Sequence, residues 1–257
     1  MQVLLACCVA LLAVASVTGK GEYPLLGRKH GPHGGGGKPP GSPTQPWNYV
    51  LAYSWTPGFC KGTTYPGCST PQPYWTNHFT LHGLWPQYNT TDGYPADCTT
   101  EAFSQSAVDA VNGGESTMIT YWPNVQEVEG TSTYSDFWAH EWGKHGTCSG
   151  LSQTAYYQNA INTLVAFGTP AIVTSNVGKT VAASDIRNAF GGQNFVALQC
   201  AGGNTLTGAF TCWNEDSDLP TAQVQCRADV VNEDTCTASD ITIPSLSSSS
   251  RGGRGGH

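Results

Sequence analysis

The stretch Phe137-Trp138-Ala139-His140-Glu141-Trp142-Gly143-Lys144-His145-Gly146-Thr147-Cys148 gathers two imidazoles, a carboxylate and an ammonium between His140 and His145. Read as a helix over Ser135 to Lys144, it sets Glu141 and His145 one turn apart on one face, with Lys144 beside them. A carboxylate, a cation and an imidazole on one stripe suit the handling of a phosphate. An i to i+4 salt-bridged helix face is the plainer reading of the same spacing. The pair His140-Glu141 also opens the zinc-binding pattern H-E-x-x-H, but the spacing rejects it. His145 is five residues after His140, about 140° around a helix, whereas zinc needs its second histidine at i+4, where Lys144 stands.

Upstream lies His78-Phe79-Thr80-Leu81-His82-Gly83-Leu84-Trp85-Pro86. As the end of a strand running from Trp75 to Leu84, it puts His78, Thr80 and His82 on one face and Phe79 and Leu81 on the other. His82 then ends the strand, and Gly83 leaves its imidazole room to reach a ligand. Trp85 offers a flat surface on which a base or sugar can stack. A structural histidine and a core tryptophan are the bland alternatives. Taken together, the two clusters supply two near-neutral imidazoles, a cation and an aromatic platform, with no metal-ligand spacing. That set is the equipment for cleaving RNA through its own 2′-hydroxyl: one imidazole takes the proton, the other protonates the leaving 5′-oxygen, and a cation steadies the phosphorane. A glycosidase built on paired carboxylates has no pair singled out by its surroundings.

Composition agrees with local rather than broad contact to nucleic acid. Eleven Lys and Arg against eighteen Asp and Glu give a net charge of −7, which excludes a protein that grips long nucleic acid through a basic face. No stable DNA binding is expected. Ten cysteines, 31 glycines and 16 prolines describe a loop-rich chain stapled by disulfides in an oxidising compartment. The apolar, uncharged run Val3 to Val17 reads as a signal peptide (1–19), cut after Ala15 or Gly19. It is shorter than the roughly 20 residues of a spanning helix, so a membrane anchor is the runner-up. The protein is therefore expected to be secreted, or vacuolar or lysosomal after passage through the secretory pathway, with no membrane partner and as a monomer. Loss of the leader removes Cys7 and Cys8 and leaves eight cysteines, which admit 105 pairings.

Residues 20–46 form a Gly/Pro/His-rich linker and 245–257 a Ser/Gly/Arg low-complexity tail. Between them, 47–244 is one domain whose fixed cations are Lys61, Lys144, Lys179, Arg187 and Arg227, against 17 carboxylates. Strands are expected at Tyr49–Trp55, Trp75–Leu84, Asn194–Cys200, Gly208–Trp213 and Ala222–Arg227. Helices are expected at Glu101–Val111, Ser135–Lys144, Gln153–Phe167 and Ser184–Phe190, the last two preceded by Ser/Thr caps. Strands and helices do not alternate regularly, which favours an α+β fold on a central antiparallel sheet with flanking helices.

The two quoted segments, in this order, resemble the active-site segments of the RNase T2 family of secreted, acid-type, S-like ribonucleases, and the similarity runs from about Trp47 to Pro244. The resemblance implies that family's α+β fold, no cofactor, a single-stranded RNA substrate, and endonucleolytic transphosphorylation to a 2′,3′-cyclic phosphate followed by hydrolysis to 3′-phosphate ends. It makes His82 and His145 the acid–base pair, with His145 as base and His82 as acid in the first step, although the reverse split uses the same rings. Glu141 and Lys144 become stabilisers of the phosphorane and His140 a phosphate-binding helper. Trp85, Tyr94 and Gln87 become the base site, and Gln87 stands where the family often has Asp or Asn. Ser54, in a second base site, stands where many relatives have Gln or Thr, so no base preference carries over. The implied disulfides are Cys60–Cys68, Cys98–Cys148, Cys200–Cys236 and Cys212–Cys226. An RNA-binding or signalling protein on the same fold is the alternative function. Asn89-Thr90-Thr91 is a glycosylation sequon. An acid optimum is expected, with the 17 carboxylates of 47–244 raising the histidine pKa values by favouring imidazolium.

Overall fold

The computed structural model describes residues 47–88 and 92–246. The leader, the linker 20–46, Asn89 of the sequon and the tail beyond its first two residues lie outside the described residues. A seven-stranded sheet is built from β1 (Trp47–Ser54), β2 (Thr80–Tyr88), β3 (Lys179–Ala182), β4 (Val196–Ala201), β5 (Thr205–Asp216), β6 (Leu219–Val224) and β7 (Asp240–Ile243). Its order is β2-β1-β5-β7-β3, with β4 and β6 also paired to β5. Pairing is antiparallel except where β5 meets β7 in parallel at Thr205 and Thr242. The helices are α1 (Thr56–Phe59), α2 (Pro66–Ser69), α3 (Gln105–Asp109), α4 (Gly114–Tyr121), α5 (Asp136–Lys144), α6 (Gln153–Phe167), α7 (Ala171–Thr174), α8 (Ala183–Ala189) and α9 (Ala228–Val231). The fold is α+β, as the irregular order of elements implies.

Strand β1 lies between β2 and β5 and is buried along almost its whole length, so its sequence reads as a continuous apolar run rather than an alternation. Its two faces still differ. Tyr49, Leu51 and Tyr53 enter the main core, together with Trp122, Trp138, Trp142, Tyr156 and Tyr157 from beneath the helices. Each fully buried ring of this kind contributes roughly 2–3 kcal/mol. Val50 faces the other way, into a small cluster with Cys212, Cys226 and Val230, against which Trp85 and Phe210 pack. That second face carries the candidate site.

Polar atoms of the core aromatics tie the sheet to the helices. Trp122 Nε1 donates to the His82 carbonyl at 2.8 Å, Trp138 Nε1 to the Trp122 carbonyl at 2.7 Å, and Tyr157 Oη to the Trp138 carbonyl at 3.0 Å. This relay runs from β2 through α5 to α6. A buried indole or phenol is costly unless its proton finds an acceptor, so these bonds specify how the elements dock. Four disulfides, Cys60–Cys68, Cys98–Cys148, Cys200–Cys236 and Cys212–Cys226, staple the loops.

Several local expectations need correction. The aromatic run from Trp75 is not strand at its start: Pro73–Thr76 is a 3-10 turn and β2 begins at Thr80. His78 therefore lies outside the strand, stacked on Tyr74. The helix expected at Glu101–Val111 shrinks to α3. Ser152 does cap α6 through Ala155 N, but α8 starts at Ala183, with Ala182 at its N-cap and no side-chain cap. The four-residue strands β3 and β7 went unread because they are too short to show a period.

Candidate active site

His82 does not end its strand. Opposite β2, the register passes from Ala52↔Gly83 to Tyr53↔Leu81, which leaves His82 as the extra residue of a β-bulge. A bulge re-aims a side chain and shifts the phase of alternation. Leu81 and Leu84 consequently both enter the main core, while Trp85 and Gln87 line the opposite cavity. Gly83 has a further reason to be glycine: a Cβ there would collide with Glu141 Oε2 and Trp85 Nε1.

Helix α5 stops at Lys144, and His145 is its C-cap, with its N–H bonded to the Glu141 carbonyl at 3.0 Å. The Asp97 N–H closes the helix end by donating to the Lys144 carbonyl at 2.9 Å. Cys98, next in sequence, is bonded covalently to Cys148. This end of α5 is thereby fixed to the Asp97–Cys98 segment.

His82, Trp85, Gln87, Tyr94, His140, Glu141, Lys144 and His145 line one cavity of about 250 Å³, together with Val50, Phe210, Val230 and Glu233. Every catalytic residue and every residue of the first base site read from the sequence lines this cavity; Ser54 does not, and Asn89 lies outside the described residues. Glu141 does not pair with Lys144 along the helix. Its Oε2 accepts from Trp85 Nε1 at 2.8 Å, and its Oε1 lies 3.6 Å from His82 Nε2. The Lys144 ammonium sits 5.7 Å from the centre of the Tyr94 ring, a cation–π distance. Trp85 stacks on His145 at 5.1 Å and meets His82 edge-on at 5.3 Å. Tyr94 is exposed, on a loop held by Arg227 to Asp92 at 2.7 Å and by the Gly93 N–H to Asp229 at 3.1 Å.

Electrostatics reverse the expected direction for the histidines. Burial, then His140 and Lys144, push His82 down to about 4. Burial, then Lys144 and the other two imidazoles, push His145 down to about 3. Most of the 17 carboxylates of the domain lie on its surface, whereas each ring responds to its own burial and to Lys144 and the neighbouring imidazoles. Glu141, 1% exposed, is pushed up to about 8 by burial, against the Trp85 hydrogen bond and Lys144, which lower it. Below that pH the carboxyl keeps its proton and can donate a hydrogen bond to an anion rather than repel it. Among the described residues, no three His, Cys, Asp or Glu side chains are grouped as a metal would require, and no helix is long and apolar enough to cross a membrane.

A second cavity, of about 300 Å³, opens on the other side of His82 and includes Ser54, Asn124, Gln126, Glu127, Asp136 and Phe137. Of these residues only Ser54 was singled out in the sequence. Val50, Phe210, Val230 and Glu233 of the first cavity were also missed, since nothing local to them marks a site.

The Ribonuclease T2 family model matches residues 47–227. Intracellular ribonuclease LX of Solanum lycopersicum is 35% identical over 120 residues, 44% of this chain and 46% of the relative. Ribonuclease DdI of Dictyostelium discoideum is 31% identical over 182 residues, 66% of this chain and 74% of the relative. The chain thus spans about half the length of the first relative and three quarters of the second. In fold it is similar to ribonuclease MC1 from the seeds of bitter gourd, with a TM-score of 0.56 and 24% identity over 76% of this chain and 99% of that one. With the family match covering most of the sequence, the chain belongs to the Ribonuclease T2 family.

Proposed function

We propose that the protein is a metal-independent endoribonuclease that cleaves single-stranded RNA by transphosphorylation. The observation that carries this reading is the meeting of three imidazoles, a buried carboxyl and an ammonium around one cavity with an aromatic wall. His145, neutral because burial depresses its pKa, removes the proton from the 2′-hydroxyl. The 2′-oxygen attacks phosphorus, the bond to the 5′-oxygen breaks, and His82 in its protonated form gives that oxygen its proton. A 2′,3′-cyclic phosphate results. In the slower second step the roles reverse and water opens the ring to a 3′-phosphate.

Glu141 donates its hydrogen bond to a non-bridging oxygen as charge grows there, a role that its raised pKa makes possible. Lys144 adds positive charge at the same rim, and His140 offers a ring nitrogen to the phosphate. Trp85 and Tyr94 hold the base on the 5′ side, and the cavity beyond His82 takes the next nucleotide. Because His82 must carry a proton and its pKa is depressed, turnover rises on the acid side of neutrality, and a bound phosphate, by favouring the imidazolium, moves that rise to higher pH. The four disulfides and the apolar leader support passage through the secretory pathway, with Asn89 as a glycosylation site.

The test compares a single-stranded RNA oligonucleotide with its 2′-deoxy counterpart at pH 5. Cleavage of the RNA alone is the expected result. Cleavage of both would overturn the mechanism, and RNA binding without cleavage would instead indicate the binding protein on the same fold.

A further inference from the structure

Glu233 lies beyond the residues that the family model matches, two positions after α9, yet it lines the same cavity as Trp85, Gln87 and Tyr94. Its backbone is firmly held. The Glu233 N–H donates to the Val230 carbonyl at 3.1 Å, and Gln199 Nε2 donates to the Glu233 carbonyl at 2.8 Å. The next residue, Asp234, pairs with Arg187 at 3.0 Å, and Cys236 is bonded to Cys200. Against that anchoring, the Glu233 carboxylate has no hydrogen bond or ion pair among the described residues. The Glu233 side chain is exposed at the rim of the cavity, burial and the nearby Asp229 push its pKa upward, and its carboxylate is open to a ligand that donates hydrogen bonds to it.

The surroundings say what kind of ligand. Val50, Phe210 and Val230 give apolar walls and Trp85 and Tyr94 give ring faces, which suit a flat heterocycle. Polar groups come from Gln87 and Glu233. Guanine presents two adjacent donors, N1–H and N2–H, that match the two oxygens of one carboxylate. Uracil would turn a carbonyl oxygen toward it on either side of its single N–H. Adenine and cytosine offer one amino group next to a ring-nitrogen lone pair. We propose that Glu233 is the specificity-determining residue of this cavity, accepting N1–H and N2–H of a guanine on the 5′ side of the cleaved bond, so that RNA is cut preferentially after guanosine. This inference rests on the ribonuclease reading.

The experiment measures kcat/KM for GpU, ApU, CpU and UpU with the wild type, Glu233→Gln and the distant Glu115→Gln. The wild type is expected to favour GpU over UpU on the order of tenfold, the scale of a hydrogen bond to a charged group. Glu233→Gln should bring that ratio close to one, chiefly through KM, with an unchanged melting temperature, while Glu115→Gln keeps the ratio. A wild type without guanosine preference, a Glu233→Gln variant that retains it, or its equal loss in Glu115→Gln would overturn the inference while leaving the ribonuclease reading in place. Failure of the wild type to cleave any of the four would overturn the ribonuclease reading itself.

Discussion

Replacing Trp85 by Phe separates two functions that the structure assigns to one side chain. Phenylalanine keeps a ring against His145 and Phe210, but removes the N–H that reaches Glu141 Oε2 at 2.8 Å. Glu141 is 1% exposed, so the abandoned acceptor finds no water in compensation. Leaving a buried acceptor unpaired costs about 2 kcal/mol. The part of this loss that falls only in the transition state, where Glu141 acts on the phosphorane, lowers kcat by up to about thirtyfold, whereas KM changes little because the stacking face remains. The same loss in the free protein lowers Tm by about 4–8 °C for a domain of this size. Trp85 also holds the Glu141 carboxyl down against burial, so in Trp85→Phe the step in the rate profile that reports Glu141 moves to higher pH. Kinetics on a defined dinucleotide from pH 4 to pH 9, with a thermal melt at each pH, read all three effects. A variant with wild-type kcat, a raised KM and a superimposable pH profile would refute the reasoning and leave Trp85 as a stacking surface alone.

Other outcomes follow from the same geometry. His82→Ala and His145→Ala should each lower kcat on the order of a hundredfold or more with smaller effects on KM, as loss of general acid–base catalysis does; near-wild-type turnover in a folded variant would remove that residue from the pair. Breaking Cys98–Cys148, which spans a sequence separation of 50, should destabilise the protein by roughly 4 kcal/mol on chain-entropy grounds, seen as a lower denaturation midpoint for the Cys98→Ala, Cys148→Ala double variant. The raised pKa of Glu141 has a definite sign in stability. Its contribution is fully present below the ordinary carboxyl pKa of 4.5 and is lost as pH rises through about 8. The Tm of the wild type relative to Glu141→Gln should therefore fall between those pH values, and a constant difference would contradict the burial argument.

The α+β class was legible because aromatic strands and capped helices follow one another without regular alternation, and the catalytic segments because each compresses its chemistry into a dozen residues. Other features were not. The bulge at His82 depends on the register of β1 and has no signature within β2. Aromatic residues from Trp75 onward mimic a strand, whereas Pro73 starts a 3-10 turn there. The eight cysteines of the domain carry no pairing rule of their own, so their partners entered with the family resemblance. The direction of the histidine shifts was misread because net charge counts every carboxylate equally, while each ring responds to burial and to Lys144 and His140 nearby. Glu233 joins the cavity from the far end of the domain, and only the folded chain brings it to the cavity that Gln87 also lines.

The central claim is that two imidazoles, without a metal, drive the 2′-oxygen of RNA onto its own phosphate. Phosphorus NMR of a dinucleotide digested in EDTA at pH 5 tests it most directly. The account predicts full activity in the chelator, with the 2′,3′-cyclic phosphate appearing first and the 3′-phosphate accumulating later. Products ending in 5′-phosphate, or activity lost in EDTA and restored by a divalent metal, would contradict it.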